Sequence, residues 1–330
     1  MDTDRDTFLI AVSTEIDTLL TTDLAVPART GPAPRMSDSE VLTLAVIGQW
    51  RGSSERALLR WAREALADAF PVLLSQSAFN RRVRFLGPVL TQVLLRLADR
   101  LVPVAPTYEV IDVVPVPLAR CCRGARRKLF GDEAGFGHGG SDHALFSGVN
   151  LLLAVAPNGP ITGFVVGPAD TQDRWLLDAL LTWRDDPTQA PWTVADLAAH
   201  ARRGQGWKGP TGFRWWPDRV GRRRASIYVT DQGFNGVVWH GHWVEDTEAE
   251  VVAGGGPDPA IARSHHQRRQ IVETINGQLT EVFHLAFPQA KTMWGVVCRI
   301  VAKCTAVNLG IWVNRWLGRP DLALQTLFNG

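Results

Sequence analysis

Cysteine is scarce in this chain of 330 residues, with only Cys121, Cys122, Cys298 and Cys304 present. Their spacing is not that of zinc ligands, and they read as reduced thiols of a cytosolic protein. Net charge is also nearly absent, at +2. A chain without a global basic surplus attracts a polyanion only through local clusters. The first residues, MDTDRDTF, are acidic and polar and lack the apolar core of a signal peptide. No uninterrupted apolar run of membrane-spanning length occurs. The most apolar late stretch, 293–317, is broken by Arg299, Lys303 and Arg315, so a core helix is expected there and no membrane partner. What is present is a globular composition, 45% hydrophobic and 21% charged, sufficient for one large domain or two ordinary ones.

Residues 1–102 read as an all-α N-terminal domain. Apolar residues recur at helical spacing in 8–20, 38–50, 54–70 and 76–101. Ser37 and Glu40 form a capping-box pattern, Gly52 closes that helix, and Ser53 or Ser54 caps the next. Pro71 is expected to end it, and Pro88 to split the last stretch in two. Within SQSAFNRRVRFLG, the side chains of Arg81, Arg82 and Arg84 lie on a short helix after a turn. That is a helix-turn-helix-like pattern suited to a DNA groove or backbone. A solvated basic face is the alternative.

Pro103 and Pro106 mark a linker, after which the pattern changes from period 3.6 to period 2. In YEVIDVVPV, Val110, Asp112 and Val114 share one strand face. A carboxylate among valines is costly unless it is paired or binds a metal. The pairing alternative would use an arginine of 120–128. That stretch, with Arg123, Arg126, Arg127 and Lys128, reads as a basic loop or hairpin beside the acidic strand. LFSGVNLLLAVAP and ITGFVVGP form a hairpin around Asn158-Gly159. Asp170 and Asp173 suit the start of the following helix, as cap and first-turn acid, so neither is assigned to catalysis.

Residues 184–224 interrupt the regular pattern with arginines, among them Arg222, Arg223 and Arg224, and interleaved tryptophans. Guanidinium groups neutralise phosphates and indoles stack on bases. A small aromatic-cored subdomain is the alternative. ASIYVTDQGFNG ends a strand at Asp231, either a ligand position at a strand terminus or a turn Asp bonding its own backbone. WVEDTEAEVVAGGG supplies a further strand. A helix over about 261–285 carries an apolar stripe of Ile271, Ile275, Leu279, Val282 and Phe283. His266, Arg269, Glu273 and Thr280 form a separate stripe, which could equally be a solvated salt-bridged face.

The order from 107 is strand, strand, strand, helix, insertion, strand, strand, long helix. It fits an α/β fold of RNase H-like type, a mixed five-stranded sheet flanked by helices, over 107–290. Residues 291–330 form a C-terminal helical extension. Several motifs in this order resemble the DDE transposases of prokaryotic insertion sequences, over nearly the whole chain. They are MSDSEVLTLAVIG, FPVLLSQSAFNRRVRFL, IDVVPVPL, GPADTQDRWLL, TDQGF, RRQIVETINGQL and RIVAKCTAVNLGIWVNR. A wider signature of Tyr, Arg, Glu and Lys along the late helix is matched at Arg269 and Glu273. His266 and Thr280 stand where the Tyr and Lys would be.

The resemblance implies metal-dependent cleavage at transposon ends and strand transfer into target DNA. It makes Asp112, Asp231 and Glu273 the catalytic triad and the ligands of two ions. Oxygen donors suit Mg²⁺ or Mn²⁺ and in-line displacement at phosphorus. Arg269, with His266, would contact DNA near the site. The expected partners are double-stranded DNA carrying terminal inverted repeats, target DNA, and a second protomer in a homodimer. The expected location is the nucleoid of a prokaryotic cytoplasm. The rival readings are a transposase-derived DNA-binding protein without catalysis and a structure-specific nuclease on the same fold.

Overall fold

The computed structural model describes residues 5–24, 33–120, 130, 133–139, 144–185, 225–254, 259–286 and 288–328. Five α-helices come first among these residues: α1 (Arg5–Thr18), continued by a π-helical turn over Leu19–Asp23, α2 (Asp38–Arg51), α3 (Glu55–Ala65), α4 (Gln76–Phe85) and α5 (Gly87–Leu101). Their ends follow local chemistry. The Ser37 hydroxyl accepts from Glu40 N–H at 3.1 Å while Glu40 Oε2 accepts from Ser37 N–H at 2.6 Å, closing the expected capping box. Gly52 then ends α2 in the left-handed region, φ +57. Ser54 and Ser75 cap α3 and α4. Pro88 occupies the first turn of α5, where its missing N–H costs nothing. Helix α3 stops at Ala65, well before Pro71.

Six strands follow: β1 (Tyr108–Arg120), β2 (Gly135–Gly139), β3 (Ala144–Val155), β4 (Ile161–Pro168), β5 (Ile227–Thr230) and β6 (Glu250–Ala253). Strands β3 and β4 are joined through the Asn-Gly turn, where Gly159 has φ +108. Both β1 and β4 pair antiparallel with β3, whereas β5 pairs parallel with β1 and β6 with β5. Along its length the sheet reads β4–β3–β1–β5–β6. The start of β3, over 144–148, pairs with β2 instead of β4. The count of five strands is therefore corrected to six. The extra strand comes from the glycine-rich stretch read as a loop or hairpin, because its alternate glycines let it lie against Phe146 and Ala169.

Helix α6 (Asp173–Asp185) follows β4, α7 (Val237–Thr247) lies between β5 and β6, and α8 (Pro259–Glu281) and α9 (Met293–Trp316) complete the fold. The stretch WVEDTEAEVVAGGG, expected as a strand, is divided. Its first part finishes α7, which buries Trp243, and only 250–253 pairs in the sheet.

The sheet is covered on both faces. Val110, Val114, Leu151, Leu153, Phe164 and Val229 join one core with α5, α8 and α9. Ile111, Leu152, Ala154, Val165 and Tyr228 join the second with α6 and α7. The first core runs on without interruption into the N-terminal helices, through Phe8, Leu42, Leu90 and Leu94. Helix α9 is long and apolar enough to cross a membrane, but 89% of its most apolar stretch is buried within the fold. Asn308, fully buried on α9, accepts from Ile161 N–H at 2.8 Å and donates to Ile161 O and Leu94 O, locking α9 to β4 and α5. Under the sheet's other face Arg184 of α6 meets Glu109 of β1 at 2.7 Å, both side chains at most 1% exposed.

Candidate metal and phosphate site

Strand β1 brings Asp112 to the centre of the sheet, opposite Leu153 of β3. On its other side β5 runs parallel, with Val110 against Val229. Two residues beyond that pair stand Asp112 and Asp231, so adjacent parallel strands, about 4.8 Å apart, deliver both aspartates to the same end. Helix α8 packs across β1 and β5 on the face of Val110 and Val114, burying Val272, Ile275 and Leu279. Arg269, Glu273 and Asn276 recur at helical spacing along it.

The side-chain contacts at Asp112 come from α8. Asn276 Nδ2 donates to Asp112 Oδ2 at 2.7 Å, and Arg269 Nη2 approaches Asp112 Oδ1 at 3.4 Å. Arg269 also lies 4.0 Å from Glu273, whose side chain is half exposed. Asp112 therefore finds an arginine partner in Arg269 of α8, while the arginines at 123, 126 and 127 lie outside the described residues. Burial pushes its carboxyl up to about 6; Arg269 opposes that shift, and the neighbouring charges of Asp231 and Glu273 add to it. The three acids thus share one electrostatic neighbourhood.

Asp231 does what a turn aspartate does: its Oδ1 accepts from Gly233 N–H at 2.9 Å, capping a single 3₁₀ turn over Gln232–Phe234. That is the turn reading of Asp231, and the bond engages one of its two carboxylate oxygens. A fourth acid, Asp173 in the first turn of α6, also belongs to this neighbourhood. Its carboxyl is raised chiefly by burial and then by the charge of Asp231. Asp173 stands in the first turn of α6, as expected, and what the sequence did not show is its nearness to Asp231. Asn276 was missed outright. Its only signal was its position two turns after Arg269 on the same helix face.

Among the described residues, no three His, Cys, Asp or Glu side chains stand ready to hold one ion. The physical reason is visible at Asp112, whose oxygens face Arg269 and Asn276. The donor type is nevertheless the one a hard divalent cation takes. The donors are carboxylate oxygens, they repel one another, and a cation between them would relieve the raised affinity of Asp112 for a proton.

The other expected DNA contacts differ in setting. His266 is exposed on α8, before Arg269. Arg81 is exposed on α4. Arg82 is held by Asp38 at 2.7 Å, so its charge is already compensated within the fold. Arg84 is half-buried, its Nε without a hydrogen-bond partner. Arg123, Arg126, Arg127, Lys128, Arg222, Arg223 and Arg224 lie outside the described residues, as does nearly all of the 184–224 insertion.

No family model, no curated protein and no solved structure matches the chain.

Proposed function

We propose that the chain is a DDE transposase on an RNase H-like fold, cutting DNA at transposon ends and transferring the freed strand into target DNA. One observation carries this reading: Asp231 and Glu273, far apart in sequence, both come within electrostatic reach of Asp112, beside a guanidinium. The strand order β4–β3–β1–β5–β6, antiparallel then parallel with helices on both faces, supports the fold assignment.

Asp112, Asp231 and Glu273 would hold two Mg²⁺ or Mn²⁺ ions. When bound, such ions supply charge for the attacking and leaving oxygens of an in-line phosphoryl displacement. The chain's own residues do the rest. Asn276 fixes the orientation of the Asp112 carboxylate. The Gly233 N–H holds Asp231 at the strand end. Arg269 neutralises Asp112 in the absence of DNA, and its reach to both Asp112 and Glu273 lets it turn to a phosphate once cations take over the carboxylates. The working unit is a homodimer on double-stranded DNA, since two ends must be joined. The proposed setting is the prokaryotic nucleoid.

The test is incubation with DNA carrying the repeats that flank the coding locus, with Mg²⁺ or Mn²⁺. End-specific nicking followed by strand joining is expected, and it should vanish in Asp112→Asn, Asp231→Asn and Glu273→Gln while DNA binding persists. Binding without metal-dependent nicking would instead identify a transposase-derived DNA-binding protein. Nicking without joining would identify a nuclease.

A further inference from the structure

Several arginines around this end of the fold have an acid of their own. Arg82 has Asp38, Arg100 has Glu15 and Asp23, Arg299 has Glu55, and Arg315 has Asp321. Arg84 does not. Its carbonyl accepts from Trp294 Nε1 at 2.8 Å, which anchors its backbone to α9. Its half-buried guanidinium faces no carboxylate among the described residues, and its buried Nε has no acceptor. Burying such a group without a counter-anion is unfavourable unless something else supplies one.

Arg84 lines a cavity of about 220 Å³ between α4 and the start of α9, together with Lys291, Arg299, Gln76, Asn80 and Glu55. Arg84 and Arg299 both lie close enough to influence the buried thiol of Cys298, so they flank the same wall. The cavity is built firmly. Glu55 accepts from Asn80 at 2.8 Å and 3.1 Å, from Gln76 at 3.4 Å and from Arg299 at 2.8 Å, tying α3, α4 and α9 together. That arrangement spends the charge of Glu55 on Arg299. Among the described residues Arg84 and the exposed Lys291 remain uncompensated. The first turn of α9 adds little, because Gly295 N–H is already bonded to the Thr292 hydroxyl at 3.1 Å. Three cations against one carboxylate, with amides on the rim, form a receptor for a tetrahedral oxyanion.

We propose that the cleft of Arg84, Lys291 and Arg299 binds a backbone phosphate of double-stranded DNA, so that α4 and α9 grip the duplex jointly. The choice of DNA as the source of the phosphate rests on the reading of the chain as a transposase. On this assignment α4 contacts DNA through Arg84, and Arg82 serves the fold.

The experiment measures duplex affinity of the full chain by fluorescence anisotropy between about 50 and 200 mM KCl. Arg84→Gln and Lys291→Gln should each lower affinity roughly 5–10-fold at about 0.1 M salt. Each should also reduce the magnitude of the log K against log[salt] slope by about 0.9, the loss of one phosphate contact. Arg84→Lys should keep the slope. Glu55→Gln should raise affinity, because it frees Arg299 for the ligand; a merely structural cluster would show no gain. Lys291 is exposed, so its variant reports even if the Arg84 variant misfolds. Unchanged affinity and slope in folded Arg84→Gln and Lys291→Gln would overturn the proposal, even where the parent chain cuts DNA. Binding that depends on the cleft in a chain that never cuts would leave the cleft standing and remove the catalytic reading. A parent chain with no affinity for duplex DNA would remove both.

Discussion

Asn276 Nδ2 lies 2.7 Å from Asp112 Oδ2, a bond between α8 and the central strand that holds the most perturbed carboxyl of the site. A hydrogen bond donated to a carboxylate favours its charged form and fixes its rotamer. Asn276→Ala should therefore lower metal-dependent cleavage about 10–100-fold while leaving duplex affinity unchanged. Asn276→Asp should be worse, since it adds a further negative charge beside Asp112. Single-turnover cleavage and anisotropy on the same preparations check both.

Asp112 also links the site to stability. Its carboxyl is raised from 3.8 to about 6, mainly by burial. A raised acid stabilises the fold below the unfolded value and loses that contribution as pH climbs through the folded value. Without divalent ions, Asp112→Asn should match the parent chain below about pH 4 and exceed it above about pH 6. The gain should be on the order of 2–3 kcal/mol. Urea denaturation at several pH values reads this directly. Equal stability of the two proteins at pH 7 would remove the argument that this carboxylate is held at a cost.

Cation binding should reverse that cost. Millimolar Mg²⁺ should raise the melting temperature of the parent chain, because a ligand that binds only the folded state stabilises it by mass action. The increment should disappear in Asp112→Asn and shrink in Asp231→Asn and Glu273→Gln. Differential scanning fluorimetry with Mg²⁺, and with K⁺ at matched ionic strength, separates a site from screening.

Asp173 should behave as a supporting member of the same cluster. Its charge bears on Asp231, as the raised carboxyl of Asp173 shows. Asp173→Asn should weaken the Mg²⁺-dependent stabilisation by about tenfold in apparent affinity without abolishing it. Asp170→Asn, on the exposed turn before α6, serves as the control and should leave it unchanged.

The ion pair of Arg184 and Glu109 is a matter of folding alone. Both side chains are buried, and Arg184 also donates to Thr162 O at 3.1 Å. Arg184→Met should cost about 3–5 kcal/mol by stranding Glu109, and adding Glu109→Gln should recover much of it. Chemical denaturation of the single and double variants gives the coupling.

Much of the fold was legible because it rests on local rules. The capping box at Ser37, the Asn-Gly hairpin, Pro88 at the start of α5 and the apolar stripe of α8 each follow from neighbours within a few residues. Strand β2 and helix α7 were not legible. One is a glycine-rich segment that pairs only because Phe146 and Ala169 lie against it. The other is held by tryptophans that pack across elements, Trp239 against Trp175 and Trp243 within the second core.

By itself, the order of residues determined that acids would stand on a strand, at a strand end and on a helix. Periodicity and turn chemistry act over short distances and leave a readable trace. Tertiary structure alone decided who meets whom. Asp112 takes Asn276 and Arg269 as partners, Asp173 joins Asp231, and Arg82 is spent on Asp38 while Arg84 meets no acid among the described residues. The reason is electrostatic. A charge is satisfied by whatever approaches within a few ångströms, and that proximity is set by how sheet and helices pack, not by spacing along the chain.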